Sequence, residues 1–330
     1  MRPSKVGGVR HIRRGASAQH RGKRCATLRR VPPDPSVVLV QGPWRHRDVG
    51  ANGQKFHVAE LGDGPLVLLL HGFPQFWWCW RAQLVGLAEA GFRAVAVDLR
   101  GYGGSDKPPR GYDALTLSGD ISGLVRALGE QRAVIVGHDW GGFLGWSVSA
   151  LHPAVVSKLV VLSLPHPLAL RRALRRSGPQ WRASAHLLRF QLPWKPERDL
   201  VADDAALVGA LLAEWGGPDF PYAAVQAEYR QHMQIPGVAH SALEYFRWAV
   251  RSQARPDGAR FARSLQRLVT APTLQLTGTA DTCVLPETVR ASSEFVAGPY
   301  RLVELPGVGH FPAEERPEQV TALIADWAAG

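Results

Sequence analysis

Cysteine is scarce in this sequence, and the cysteines are far apart. Cys25, Cys79 and Cys283 are the only three among 330 residues, and they form no C-x-x-C pair. The sequence therefore predicts neither a disulfide framework nor a zinc site built on cysteine. No ligand cluster with metal-binding spacing is found in the sequence either, so we expect no metal and no cofactor.

Long apolar runs are missing as well. No stretch is long and apolar enough to span a membrane, and residues 1–30 lack the hydrophobic segment of a signal peptide. From these absences we expect a cytoplasmic protein without a membrane span.

Acidic residues are absent before Asp34, where ten Lys and Arg residues occur. The formal net charge is +11, so only about +1 is left for the rest of the chain. We predict that residues 1–36 are a basic disordered tail. The tail lacks aromatic residues and a periodic apolar face, so we do not expect it to bind nucleic acid.

Short apolar runs alternate with helical patterns over residues 37–166 and again over 267–330. This alternation predicts an α/β fold with a mostly parallel sheet and helices on both faces. Residues 44–60 form two alternating runs around an Asn-Gly pair, which predicts an antiparallel hairpin at the sheet edge. A helical pattern covers residues 77–90. Residues 167–266 contain helical patterns only, one of them over 180–191, so we predict an inserted helical lid at the active-site edge.

The stretch around Asp139 predicts a nucleophile elbow. An apolar strand leads into Gly137-His-Asp-Trp-Gly141, and a helical pattern follows. A carboxylate in this position can attack an electrophilic carbon and become an ester of the enzyme, which suits strained ether rings or carbon–halogen bonds. The alternative is an Asp that merely caps the next helix.

Two further residues complete the expected catalytic set. Asp281 follows the predicted strand 273–277, and His310 follows the predicted strand 300–305. The order nucleophile, acid, base is the order of this fold, with His310 as the base and Asp281 as its orienting acid. The backbone N–H groups of Phe73 and Trp140 are the candidates for an oxyanion hole.

Four motifs together are similar to those of epoxide hydrolases of the α/β-hydrolase superfamily, in the actinobacterial-type branch with an Asp nucleophile. They are His71-Gly72-Phe73-Pro74, the segment 98–108, Gly137–Gly142 and Gly309-His310-Phe311. The resemblance implies an eight-stranded α/β-hydrolase fold with a lid. It also implies that Asp139 opens an epoxide to give an ester, and that His310 and Asp281 drive water onto that ester. The Phe73–Pro74 peptide is a candidate for the cis form.

The family also uses two lid tyrosines as donors to the ring oxygen. One expected position holds His186 in place of Tyr, and near the other Tyr245 is available, although Phe246 stands directly before the Arg. We therefore expect Tyr245 as the lid proton donor and His186 as a second donor, with Tyr229 a weaker candidate. Apolar lid residues such as Phe190, together with Trp140, predict a pocket for a small hydrophobic epoxide and water.

Two other functions stay open. Dehalogenases of the same fold also use an elbow Asp, but haloalkane dehalogenases usually carry Asn where Phe73 stands, and haloacid relatives carry Arg where Trp140 stands. A non-catalytic binding protein of this fold would be expected to lose one member of the triad, and all three are present. The sequence does not predict an oligomeric state.

Overall fold

The computed structural model describes residues 31–176 and 178–330, and its centre is an eight-stranded sheet. The strands are β1 (Arg45–Ala51), β2 (Gln54–Leu61), β3 (Leu66–Leu70), β4 (Arg93–Val97), β5 (Ala133–His138), β6 (Val156–Leu162), β7 (Thr273–Gly278) and β8 (Tyr300–Leu305). Their order in the sheet is β1-β2-β4-β3-β5-β6-β7-β8. The predicted α/β class with a mostly parallel sheet is confirmed.

The hairpin at the sheet edge forms because Asn52 and Gly53 both adopt positive φ angles, 47° and 72°. Such angles suit a two-residue turn between twisted strands. β1 then pairs antiparallel with β2, and β2 pairs antiparallel with β4, while the remaining pairs are parallel. All residues of β3 and β5 are buried, as expected of apolar strands at the middle of a parallel sheet.

Helical segments connect the successive parallel strands from β3 to β8. The helices are α1 (Arg81–Glu89), α2 (Ala114–Ala127), α3 (Trp140–Leu151), α4 (Pro167–Arg176), α5 (Gly178–Ala183), α6 (His186–Arg189), α7 (Lys195–Trp215), α8 (Tyr222–Met233), α9 (Val238–Arg251), α10 (Pro256–Ser264), α11 (Pro286–Arg290), α12 (Pro312–Glu315) and α13 (Pro317–Ala329). Helices α4 to α10 all lie between β6 and β7, and we refer to them together as the helical insertion.

Several local expectations differ from the structure. The helix expected from Trp77 begins as a 3-10 turn, Trp77–Trp80, before α1, and the helix expected over 180–191 is split into α5 and α6. Helix α7 is interrupted at 202–205, where three residues have positive φ.

The predicted tail ends earlier than residue 36. Residues 1–30 lie outside the described residues, so the prediction of disorder is not addressed there. Pro35–Val38, however, form a 3-10 turn capped by the side chain of Asp34, and Val38 is buried. The carbonyl of Val38 accepts a hydrogen bond of 2.8 Å from Nε1 of Trp77, so this turn belongs to the folded body.

Over the described residues, no helix is long and apolar enough to cross a membrane. The same residues contain no group of three or more His, Cys, Asp or Glu side chains that could hold a metal ion. Trp77 and Trp80 are fully buried. Neither they nor Trp78 line the cavity described below.

Candidate active site

The turn from β5 into α3 places Asp139 at the carboxyl end of the sheet. Asp139 has φ 47° and ψ −114°, a conformation that non-glycine residues rarely adopt. A Cβ atom at Gly137 would clash with the carbonyl of Gly141, and one at Gly141 would clash with the carbonyl of Leu70. The two glycines therefore permit the close approach that exposes the Asp139 side chain on a strained elbow.

The two oxygens of Asp139 have different surroundings. Oδ2 accepts a hydrogen bond of 2.9 Å from the backbone N–H of Phe73, and the N–H of Trp140 also stabilises this carboxylate. Oδ1 faces His310. Burial raises the pKa of Asp139, while His310 and the two N–H groups oppose this shift. The N–H of Phe73 thus lies on Oδ2, while Oδ1 lies on the side of His310.

His310 and Asp281 come together on the other side of Asp139. Nδ1–H of His310 donates to Oδ2 of Asp281 over 2.8 Å, and Nε2 lies 3.9 Å from Oδ1 of Asp139. The other oxygen of Asp281 accepts the backbone N–H groups of Cys283 and Val284. Burial works against a charged His310 ring, but the nearby carboxylates, chiefly Asp281, outweigh it and raise the pKa of His310.

The loop that carries His310 is held by contacts that the motifs did not reveal. The carboxylate of Glu315 accepts the backbone N–H groups of Gly309 and Phe311, on either side of His310, and also that of Gly217 in the helical insertion. Nε2–H of His138 donates to the carbonyl of His310 over 2.7 Å. Glu315 and His138 therefore fix the position of His310.

A similar brace holds the loop of Phe73. Nε2 of His71 accepts the N–H of Leu99, so its Nδ1 carries the hydrogen and donates to the carbonyl of Gly72. Burial lowers the pKa of His71 to about 4, which keeps the ring neutral. The Phe73–Pro74 peptide is cis, as the sequence suggested. His71, Gly72 and Pro74 thus shape the loop that presents the Phe73 N–H.

A cavity of about 400 Å³ opens above Asp139, between the sheet and the helical insertion. Trp140, Phe246 and Trp248 line it, together with leucines of α4 and α6. The lining is mostly apolar, with few polar groups, and the volume is typical of a small-molecule site.

Tyr245 does not reach this cavity. Its hydroxyl is buried and donates to the backbone carbonyl of Arg100 over 2.8 Å, and burial raises its pKa well above the usual value. Phe246, the next residue on α9, lines the cavity in its place. Tyr229 is also buried away from the cavity, where Gln75 donates to its hydroxyl. The structure therefore brings no lid tyrosine to Asp139.

His186 does line the cavity. Its Nδ1 is buried and makes no hydrogen bond to any residue that the structure describes. Burial and the charge of His310 lower its pKa to about 4, against a smaller opposing effect of the Ala183 carbonyl. Phe190, expected to bind substrate, does not line the cavity, and its ring packs on Phe73 and Phe246.

The sequence motifs identified the three residues that follow strand ends, because the spacing of these motifs along the chain reflects the order of strands and helices. They did not identify Glu315 or His138 as positioning residues. The signal for His138 was its place directly before the nucleophile, and Glu315 had only its nearness to His310 in sequence. Neither signal by itself distinguishes a brace from an ordinary buried polar residue.

Comparisons with known proteins agree with this geometry. The family model of the alpha/beta hydrolase fold matches residues 65–317. Epoxide hydrolase 3 of Xenopus tropicalis is 34% identical over 84% of this chain and 75% of its own length. Epoxide hydrolase A of Mycobacterium tuberculosis is 30% identical over 88% of this chain and 98% of its own.

A solved structure shows the same likeness. The epoxide hydrolase of Bacillus megaterium, crystallised with an inhibitor, superposes with a TM-score of 0.76. It is 28% identical, and the match covers 86% of this chain and all of that chain. The chain therefore belongs to the α/β-hydrolase family, as a member of its epoxide hydrolase group.

Proposed function

We propose that the protein converts a hydrophobic epoxide to a vicinal diol through a covalent ester on Asp139. The observation that carries this proposal is that the two carboxylate oxygens of Asp139 have different contacts. Oδ2 accepts the N–H of Phe73, and Oδ1 lies 3.9 Å from Nε2 of His310 without such a donor among the hydrogen bonds of the described residues. Oδ1 is thus available to form a bond to carbon while Oδ2 is already held by a donor.

In the first step, Oδ1 attacks a ring carbon. A carbon–oxygen bond of the epoxide breaks, and its electron pair stays on the ring oxygen as an alkoxide. His186 is the lid residue that we assign to this oxygen, because it lines the cavity and its Nδ1 has no other described partner. A neutral imidazole gives a hydrogen bond rather than a full proton, so water supplies the proton.

In the second step, Nε2 of His310 takes a proton from water, and the resulting hydroxide attacks the ester carbon. Negative charge develops on Oδ2, which accepts the N–H of Phe73, and the N–H of Trp140 also stabilises this carboxyl group. The bond from the ester carbon to Oδ1 breaks, and the diol leaves with Oδ1 and a proton from His310. The acid proton left on Asp139 neutralises the hydroxide formed in the first step and restores the carboxylate. Asp281 holds the tautomer of His310 and stabilises its charged form.

The scheme is tested with His310→Gln. Attack by Asp139 needs no base, but hydrolysis does, so the variant should accumulate an adduct of one substrate mass in intact mass spectrometry after mixing with styrene oxide. Asp139→Asn should form no adduct and no diol. A His310→Gln protein that stays unmodified while the wild type makes diol would mean that water attacks the epoxide directly.

Dehalogenation is the second candidate, because no lid tyrosine lines the cavity whereas the Trp140 ring does. Initial rates on styrene oxide and on a bromoalkane, with diol and bromide followed separately, decide between the two. Diol without bromide supports epoxide hydrolysis. Bromide without diol would move the assignment to dehalogenation. Neither product from folded protein would favour the non-catalytic alternative.

A further inference from the structure

The helical insertion exposes apolar side chains at the mouth of the cavity. Trp194 is 84% exposed, and three more side chains in the same stretch are about half exposed, namely Trp181, Leu188 and Leu192. Trp181 and Leu188 also line the cavity, so the group lies beside its opening. We refer to these four residues as the apolar patch. Single exposed apolar residues are common on protein surfaces, whereas a group of them marks an interaction site.

The backbone between α6 and α7 holds this patch together and turns Trp194 outward. The N–H of Leu192 donates to the carbonyl of Arg189, which keeps Leu192 about one turn from Leu188. Trp194 has φ 55° and ψ −31°, a left-handed conformation that costs free energy in a residue other than glycine. A strained backbone thus presents a large ring to solvent, and the exposure of that ring is offset only where another surface covers it.

The apolar patch is bordered by positive charge. Between Asp139 and Glu197 the sequence contains no acidic residue, although eight Lys and Arg residues occur there. Three of these are exposed and directly follow patch residues in the sequence or come one position after them, namely Arg182, Arg189 and Lys195. Lys195 pairs with Asp199, whereas Arg182 and Arg189 form no ion pair with any residue that the structure describes. These two guanidinium groups are therefore not neutralised within the described part of the chain.

This combination of groups fits an anionic lipid surface. Tryptophan rings lie at the headgroup level of a bilayer, leucine side chains enter the boundary with the acyl chains, and Lys and Arg are attracted by anionic headgroups. A second copy of the chain fits less well, because a symmetric contact through the patch would bring Arg182 and Arg189 of both copies together.

We propose that the apolar patch binds the surface of an anionic lipid bilayer, with Leu192 and Trp194 in the headgroup region and Arg182 and Arg189 on lipid phosphate groups. In this arrangement the helical insertion lies on the bilayer surface, and the mouth of the cavity faces the bilayer, where small apolar molecules concentrate. Binding to lipid needs no catalysis, so the inference does not depend on the proposed function.

The test is cosedimentation of the full-length protein with lipid vesicles. Vesicles of phosphatidylcholine are compared with vesicles that also contain phosphatidylglycerol. The protein should bind the anionic vesicles about tenfold more strongly, and salt should weaken this binding, because it screens exposed charges. The ten basic residues before Asp34 can also bind anionic vesicles. They are the same in every variant, so variants of the patch report the contribution of the patch itself.

Paired variants separate the patch from other exposed apolar residues. Leu192→Ser and Trp194→Ser should each lower the partition coefficient on anionic vesicles by about tenfold, and Trp194→Phe should keep most of the binding, since it retains a large ring. The control for Leu192→Ser is Leu268→Ser. Leu268 is 50% exposed, close to the 48% of Leu192, but it leads into the amino end of β7. This control should bind like the wild type.

The contribution of charge is tested in the same way. Arg189→Gln should weaken binding to anionic vesicles by about fivefold, which is the effect of one cation close to an anionic surface. Arg126→Gln is its control and should bind like the wild type, because Arg126 is exposed on α2, outside the helical insertion. All of the substituted side chains are exposed, so the melting temperatures should stay at the wild-type value.

Four results would overturn the inference. Equal binding to both kinds of vesicle would remove the role of charge. Wild-type binding by Leu192→Ser and Trp194→Ser would assign lipid binding to the basic segment before Asp34. An equal loss in Leu192→Ser and Leu268→Ser would show that the patch has no special part. A dimer that forms without vesicles and dissociates in Leu192→Ser would assign the patch to a second copy of the chain.

Discussion

Two neighbouring aromatic residues on α9 have different environments because one residue of a helix rotates the side chain by about 100°. Tyr245 points into the core, where its hydroxyl binds the Arg100 carbonyl and its ring contacts Tyr102. Phe246 points into the cavity and packs against Trp140. The phenol that sequence similarity suggested for the lid is therefore a structural group, and the cavity side carries a ring without a donor.

Tyr245→Phe should consequently leave turnover of styrene oxide close to the wild-type value. It should lower the free energy of unfolding by about 1 kcal/mol, because the carbonyl of Arg100 loses its buried donor. His186→Phe, by contrast, should slow ester formation by about tenfold to a hundredfold, because the donor to the alkoxide is lost. Rapid-quench kinetics and chemical denaturation measure the two effects. A slow Tyr245→Phe beside an unaffected His186→Phe would return the lid role to Tyr245.

A phenol can also be placed in the cavity deliberately. Phe246→Tyr adds a hydroxyl to a ring that lines the cavity, so it should accelerate ester formation from styrene oxide, most visibly in the background of His186→Phe. Phe190→Tyr is the matched control, because it adds the same hydroxyl to a ring packed behind the cavity wall. The control should lose stability without gaining rate. Equal rates for both variants would show that a phenol at 246 does not reach the ring oxygen.

At the residue scale, the sequence predicts the functional side chains that follow strand ends. It does not predict which side of a helix faces the cavity. Asp139, Asp281 and His310 each follow a strand, and the structure places His310 between the two carboxylates, 3.9 Å from Asp139 and 2.8 Å from Asp281. Tyr245 and Phe246 are both apolar enough to be buried on α9, so hydrophobic pattern could not tell which one faces the cavity. The contact of Tyr245 with Arg100 and the place of Phe246 in the cavity wall distinguish them.

At the scale of elements, the base is held by a junction between the sheet and the helical insertion. Glu315, at the end of α12, accepts N–H groups from the His310 loop and from Gly217, which follows α7. The N–H of His310 itself donates to the carbonyl of Trp215, the last residue of α7. The insertion therefore helps to position the base as well as to enclose the cavity.

Glu315 should affect the pH profile of ester hydrolysis. Its charge is one of those that raise the pKa of His310. Burial, which lowers this pKa, and the charges of Asp281 and Asp139, which raise it, act more strongly. The base works only when neutral, so hydrolysis is lost as the pH falls through the raised pKa. In Glu315→Gln that pKa should be lower, and the acid limb of the single-turnover profile should move to lower pH while the maximal rate falls.

The exposed Glu318→Gln, in the first turn of α13, is the control for this experiment and should leave the profile unchanged. A lower maximal rate with an unmoved acid limb would limit Glu315 to holding the backbone. An acid limb displaced to higher pH would contradict the electrostatic role, because removing a nearby negative charge cannot stabilise the charged imidazole.

Elements were predictable where the apolar pattern is regular, as in β3 and β5, and less so in the insertion. The expected helix over 180–191 is divided between α5 and α6, and Gln180 is buried with its side-chain amide bonded to the Cys283 carbonyl. That contact crosses 103 positions of the sequence. No local pattern contains such information, which is why the splitting of this helix was missed.

At the scale of the whole molecule, composition and structure place the start of the folded body at different residues. The basic charge ends near Asp34, and composition alone placed the boundary at residue 36. The structure places it earlier, because the turn Pro35–Val38 already belongs to the folded body. Val38 packs into the core, and its carbonyl accepts a hydrogen bond from Trp77, whose ring is fully buried. The ten basic residues before Asp34 precede every residue of the proposed mechanism in the sequence.

Two truncated chains test this boundary. A chain that starts at Pro32 should keep the wild-type kcat/KM on styrene oxide and the wild-type melting temperature, since it retains the capped turn. A chain that starts at Leu39 loses the burial of Val38, which is worth about 1.5–3 kcal/mol, and leaves Nε1 of Trp77 without its acceptor. Its melting temperature should fall by several degrees. Equal melting temperatures for the two chains would mean that the turn adds nothing to the fold. A loss of activity in the longer chain would instead give the basic segment a part in catalysis that none of the described contacts predicts.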